Sequence, residues 1–174
     1  MKSYIQGLIT GGVLVFALFV LMASKPNPVG TYVPTGNGGI LDTTTGPGVF
    51  SSYNGQLNLD NTLPSILKSA KVYAQDTNSV TFELRDDNGV VIDDVTHIVY
   101  PGVQSLIFDF VLPVGNDFEL GVDASSGDIG LYRSNASIPY PFDLGTVSIT
   151  GSNAGNQYYY YYYDIEIMPL ATYN

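Results

Sequence analysis

Apolar side chains fall on every second position in several short segments of this chain. In SLIFDFVLPVG, Leu106, Phe108, Phe110 and Leu112 line one face, and Pro113 and Gly115 end the run. SVTFELRDDNGVVI places Val80, Phe82 and Leu84 on one face and Thr81, Glu83 and Arg85 on the other. Asp87, Asn88 and Gly89 then supply a hairpin turn, since Asn-Gly accommodates positive φ. DFELGV adds Phe118, Leu120 and Val122, GTVSITG adds Val147 and Ile149, and AKVYAQ reads as a further strand. Period-two alternation marks a strand with one buried face. Roughly seven to nine such strands, spaced by about 8–12 residues with no helical stretch among them, predict an antiparallel β-sandwich of jelly-roll-like topology over residues 57–174.

The last segment is unusual: QYYYYYYDIEI, from Gln157 to Ile167, holds six of the fourteen tyrosines. As one strand, its odd row is Tyr159, Tyr161, Tyr163, Ile165 and Ile167, and its even row is Tyr158, Tyr160, Tyr162, Asp164 and Glu166. The opposite register would bury two carboxylates, a costly outcome when they are unpaired. The odd row is therefore expected in the core, and Tyr158, Tyr160 and Tyr162 at least partly exposed. With Tyr132, Tyr140 and Phe142 they form the candidate interaction surface. Flat aromatic faces suit sugar rings, and tyrosine is also enriched at subunit interfaces. The plainer reading is that aromatics favour strands and cover one another across a sheet.

The N-terminal pattern differs. An uncharged run from Ser3 to Ser24 lies between Lys2 and Lys25. As a helix it would extend roughly 33 Å, enough for a bilayer core of about 30 Å. A cleaved signal peptide is the rival reading. Its apolar region usually spans only about 7–15 residues, and Leu21 and Met22 stand where small residues would be wanted. The expectation is an uncleaved anchor over residues 1–25, with a single transmembrane helix near residues 4–24 in a lipid bilayer. Gly7 and Gly11 have the GxxxG spacing that lets two helices approach closely and form a homo-oligomer. Glycine is also simply common in membrane helices. Residues 26–56, rich in Pro, Gly, Thr, Asn and Ser, read as an extended stalk, or as an arm ordered along a neighbouring protein.

Composition narrows the chemistry. Only 13% of residues are charged and 45% are hydrophobic, which excludes intrinsic disorder. The absence of cysteine excludes disulfides and thiolate metal sites. A net charge of −10 argues against nucleic acid, whose phosphates require a basic footprint. From Pro26 onward sixteen acids face Lys68, Lys71, Arg85 and Arg133, so 4 − 16 = −12. His97 is the single histidine, and no nucleophile elbow, Cys/His pair or phosphate loop is present. Asp86, Asp87, Asp93 and Asp94 flank a hairpin turn, where aspartate serves turn chemistry. Calcium at Asp86/Asp87/Asn88 or Asp123/Asp128 would need six or more converging oxygens, and neither stretch is an EF-hand loop. Asn135-Ala136-Ser137 matches a glycosylation sequon, which is read as coincidental. No enzyme activity, cofactor or metal is expected.

The runs KSAKVYAQDTNSVTFELRDDNGVVIDD, LIFDFVLPVGNDFELGV and GLYRSNASIPYPFDLGTVSITGSNAGNQYYYYYYDIEI, from about Leu67 to Ile167, carry a resemblance. They resemble a β-sandwich module often appended to secreted surface proteins of Bacteroidetes-type bacteria. The resemblance implies an accessory or binding module rather than a catalytic domain. Joined to an anchor in a short chain, it leads to two expectations. One is a structural protein of a membrane-containing bacteriophage: a minor capsid or vertex component, penton- or spike-associated, linking the internal membrane to neighbouring capsid proteins and contacting the host. The other is a bacterial envelope protein displaying a glycan-binding sandwich.

Overall fold

A computed structural model describes residues 37–123, 125 and 129–170. Among the described residues the chain forms two antiparallel sheets, of seven and six strands, and no helix is long and apolar enough to cross a membrane. The helix expected over residues 4–24, with Gly7 and Gly11, lies outside the described residues.

The first sheet runs β1 (Asn37–Gly38), β13 (Tyr163–Pro169), β4 (Ser65–Ala74), β9 (Leu131–Ser134) and β12 (Tyr159–Tyr160). Two further strands join it, β2 (Gly48–Ser51) on β9 and β7 (Gly102–Leu112) on β4. The second runs β10 (Phe142–Asp143), β11 (Val147–Ser152), β3 (Leu57–Asn61), β8 (Gly115–Val122), β5 (Asn78–Arg85) and β6 (Val91–Val99). The chain changes sheet between β2 and β3, β3 and β4, β4 and β5, β6 and β7, β7 and β8, β8 and β9, β9 and β10, and β11 and β12.

The alternating segments behave as their pattern requires. Leu106, Phe108, Phe110 and Leu112 are buried, as are Val80, Phe82, Leu84, Phe118, Leu120, Val122, Val147 and Ile149. The sheets meet through these faces, with the Phe82 and Phe108 rings 5.1 Å apart and near edge-on. Each such side chain contributes about 1.5–3 kcal/mol by leaving water. The β5–β6 turn is closed by Asp86, whose carboxylate accepts from the Asn88 and Val90 amides at 3.0 and 2.9 Å, while Gly89 takes φ 75°. A buried Asn61 binds β3 to the end of β7, its amide donating to the Leu112 and Pro113 carbonyls at 3.0 and 2.9 Å.

Residues 37–56, expected as the end of a stalk or arm, are part of the sandwich. Asn37 and Gly38 pair with Glu166 and Ile165, and Gly48 to Ser51 pair with Ser134 to Leu131. Ile40 enters the core, and Asp42 caps a short 3-10 turn at Thr43–Thr45 by accepting from the Thr44 amide at 2.8 Å. These strands attach through backbone hydrogen bonds, which any sequence without proline supplies, so their composition hides them.

Candidate functional site

The tyrosine run is two strands joined by a sharp turn. The Tyr162 amide donates to the Tyr160 carbonyl at 2.6 Å, an i to i+2 bond closing a γ-turn centred on Tyr161. Tyr161 has φ 56°, a left-handed conformation rare for a bulky residue. The turn interrupts the period of two, with consequences for the even row.

The odd row is buried as expected: Tyr159, Tyr161, Tyr163, Ile165 and Ile167 have at most 1% of their surface exposed. Beyond the turn the carboxylates stay off the core, Asp164 paired with Lys71 at 2.7 Å and Glu166 accepting from the Ser69 hydroxyl at 2.8 Å. The even row departs from expectation. Tyr158 is half-buried, while Tyr160 and Tyr162 are buried. Tyr162 follows the turn and so points between the sheets, packing on Phe82 and Phe108 and donating its hydroxyl to the Gly121 carbonyl. Tyr160 belongs to the buried core cluster, with Gly55 packed against its ring and Arg133 beside it. The segment read as a stalk is thus part of what covers the ridge.

The six candidate surface residues consequently separate. Tyr140 and Phe142 join Tyr159 in one cluster, Tyr140 stacked on it at 6.2 Å and Phe142 edge-on at 5.7 Å. The Tyr140 hydroxyl donates to the Tyr158 carbonyl at 2.9 Å. Tyr132 packs edge-on to Phe50 at 5.4 Å and borders Tyr73 and Tyr163. Tyr158 and Tyr160 form a second neighbourhood, with ring centroids 6.0 Å apart.

At the centre of that neighbourhood is Arg133, for which the sequence gives no signal beyond a cation in an acidic chain. β9 places it between Val49 of β2 and Tyr160 of β12. Its guanidinium carbon lies 4.2 Å from the Tyr158 ring centroid, 4.9 Å from Tyr53 and 5.9 Å from Tyr160. Cation–π contacts of this kind contribute about 0.5–2 kcal/mol, increasing with desolvation. Lys68 pairs with Asp109 at 2.5 Å, Lys71 with Asp164, and Arg85 with Glu83. Among the described residues Arg133 is the one Lys or Arg with no carboxylate partner, and its buried Nε has no hydrogen-bond partner. Beside it opens a cavity of about 380 Å³, lined by Phe50, Ser51, Tyr53, Gln75 and Arg133 among others.

Burial pushes the Tyr161 hydroxyl up to about 12 and raises Tyr140, Tyr159, Tyr162 and Tyr163 as well, so all five remain protonated near neutrality. His97 is half-buried, its Nε2 2.8 Å from the Ile107 carbonyl. Among the described residues no three His, Asp or Glu side chains converge as a metal site. Asp86 is engaged by its turn, Asp123 accepts from the Ser125 amide at 2.8 Å, and Asp128 lies outside the described residues. Asn135 is exposed just after β9. Neither protein-family models, curated proteins nor solved structures give a match to this chain.

Proposed function

We propose that this chain is a non-enzymatic, membrane-anchored structural protein. In this reading it is a minor capsid or vertex component of a membrane-containing bacteriophage, penton- or spike-associated. Residues 4–24 would hold the internal membrane, and a jelly-roll-like sandwich would meet the shell. The strand-to-strand changes of sheet are compatible with that topology. The observation that carries the reading is an apolar outer surface on the edge strands. Val91, Ile98, Val103, Ile107 and Val111 are all more than 40% exposed, in a chain of net charge −10. On the first sheet's outer face Ile66 sits in register between Val111 and Met168, making an apolar row across β7, β4 and β13. The Lys68–Asp109 pair interrupts this row, and the exposed apolar side chains around it favour contact with neighbouring subunits on an otherwise acidic protein. Mass spectrometry of purified virions should find the chain, and it should remain with the lipid fraction when the shell is stripped. Detection only in envelopes of uninfected cells would overturn the reading.

A second reading, a bacterial envelope protein with a glycan-binding sandwich, is favoured by one feature. Tyr53, 66% exposed, flanks the otherwise unpaired Arg133.

A further inference from the structure

We propose that the cavity beside Arg133 binds a carboxylate-bearing pyranose, a sugar of the uronic-acid type. The inference holds whether the chain belongs to a virion or to an envelope, because it rests on the cavity alone. Its volume of about 380 Å³ falls in the range of small-molecule sites, about 300–1,000 Å³. Arg133 is held from the protein side by rings rather than by charge, with its guanidinium carbon over Tyr158 and Tyr53. A ring over a guanidinium occupies its face and leaves donors on its rim. That rim is a planar fork matched to the two oxygens of a carboxylate. No acid on the described chain fills this role.

The remainder of the cavity suits a sugar ring better than a bare anion. Tyr53 and Phe50 are 66% and 43% exposed, leaving aromatic surface open at its edge. Such surface packs against the C–H face of a pyranose. The exposed Gln75 amide supplies a donor and an acceptor for ring hydroxyls. The acidic exterior disfavours densely charged polyanions, whereas a polymer with one carboxylate per sugar meets less repulsion.

The test is titration of the full chain in detergent micelles, by ligand-observed NMR, with methyl glucuronide, methyl glucoside and acetate. Glucuronide should bind, with glucoside and acetate each at least about tenfold weaker, as expected where a site pairs a specific group. Arg133→Lys keeps the charge but loses the fork and should weaken glucuronide by about tenfold or more. Phe50→Ala removes a part-exposed ring whose aromatic contact is with Tyr132, so the rings over Arg133 stay in place; it should weaken glucuronide and leave acetate unchanged. Equal binding of glucoside and glucuronide would overturn recognition of the carboxylate. Equal binding of acetate and glucuronide, or indifference to Phe50→Ala, would overturn recognition of the sugar. Absence of glucuronide binding to the unaltered chain would overturn the whole proposal.

Discussion

Gly55 lies flat against the ring of Tyr160, so close that a methyl group on Gly55 would overlap the ring's edge carbons. Glycine is needed there for space. Tyr160 borders Arg133, and the contact therefore sets how the 48–55 segment closes over the aromatic cluster. Gly55→Ala should destabilise the fold by about 1–3 kcal/mol, the usual cost of overpacking. Thermal denaturation measures this directly, and an unchanged melting temperature would show that the segment lifts freely from the ring.

Tyr160→Ala and Tyr161→Ala should both destabilise strongly, by about 3–5 kcal/mol each, because both rings are buried. Denaturant unfolding of the two variants checks this. A loss under about 1 kcal/mol for Tyr160→Ala would mean that its cover opens in solution.

Asn61→Ala should cost about 1–3 kcal/mol, since it leaves the Leu112 and Pro113 carbonyls without the donor they share. Chemical denaturation against the unaltered chain reads the difference.

Alkali should unfold the protein cooperatively. Tyr140, Tyr159, Tyr161, Tyr162 and Tyr163 have hydroxyl pKa values raised by burial above the ordinary 10. Above pH 10 the unfolded chain releases these protons first, so the folded state binds more protons and stability falls with rising pH. The contribution is intact below pH 10 and is lost between 10 and the raised folded values, about 12 for Tyr161. Tyrosinate absorbance and circular dichroism should change together in that window. Gradual ionisation of these tyrosines with the fold intact would contradict their burial.

Ile107→Asp combined with Val111→Asp places charge on the exposed apolar row. Stability should change by roughly 0.5 kcal/mol or less, as for ordinary surface substitutions. Incorporation into virions should fall in a complementation assay, and undiminished incorporation would remove this face as the assembly contact.

The core was legible wherever alternation was clean. Phe108 and Phe110 declare their side through the residues between them, and Asp86 to Gly89 announce a turn by composition. Six identical tyrosines carry no such signal, so nothing in the run marks Tyr161 as the point where the chain bends. Its positive φ runs against local preference and must be enforced by the surrounding packing. The place of residues 37–56 in the sandwich is not legible because β1 and β2 are stitched on through backbone, with Ile40 the one apolar residue of that stretch that enters the core. Arg133 was missed for a third reason. Its environment comes from Tyr53, Tyr158 and Tyr160, which are remote in the chain and meet only when β2 and β12 close on β9.

The way the chain enters the sandwich has a mechanical consequence. Tension arriving from before Asn37 would act first on β1, which is held to β13 by a two-residue pairing, and then on the seat of Ile40. Short antiparallel pairings at an end open one bond at a time, so this lead-in would yield at lower force than the long β4–β7 ladder beneath it. Once peeled past Gly55, the chain would take Phe50 away from Tyr132 and Tyr53 away from Arg133, and uncover Tyr160. The rest of the sandwich would remain folded as a spring-loaded remainder, able to re-zip when the tension drops.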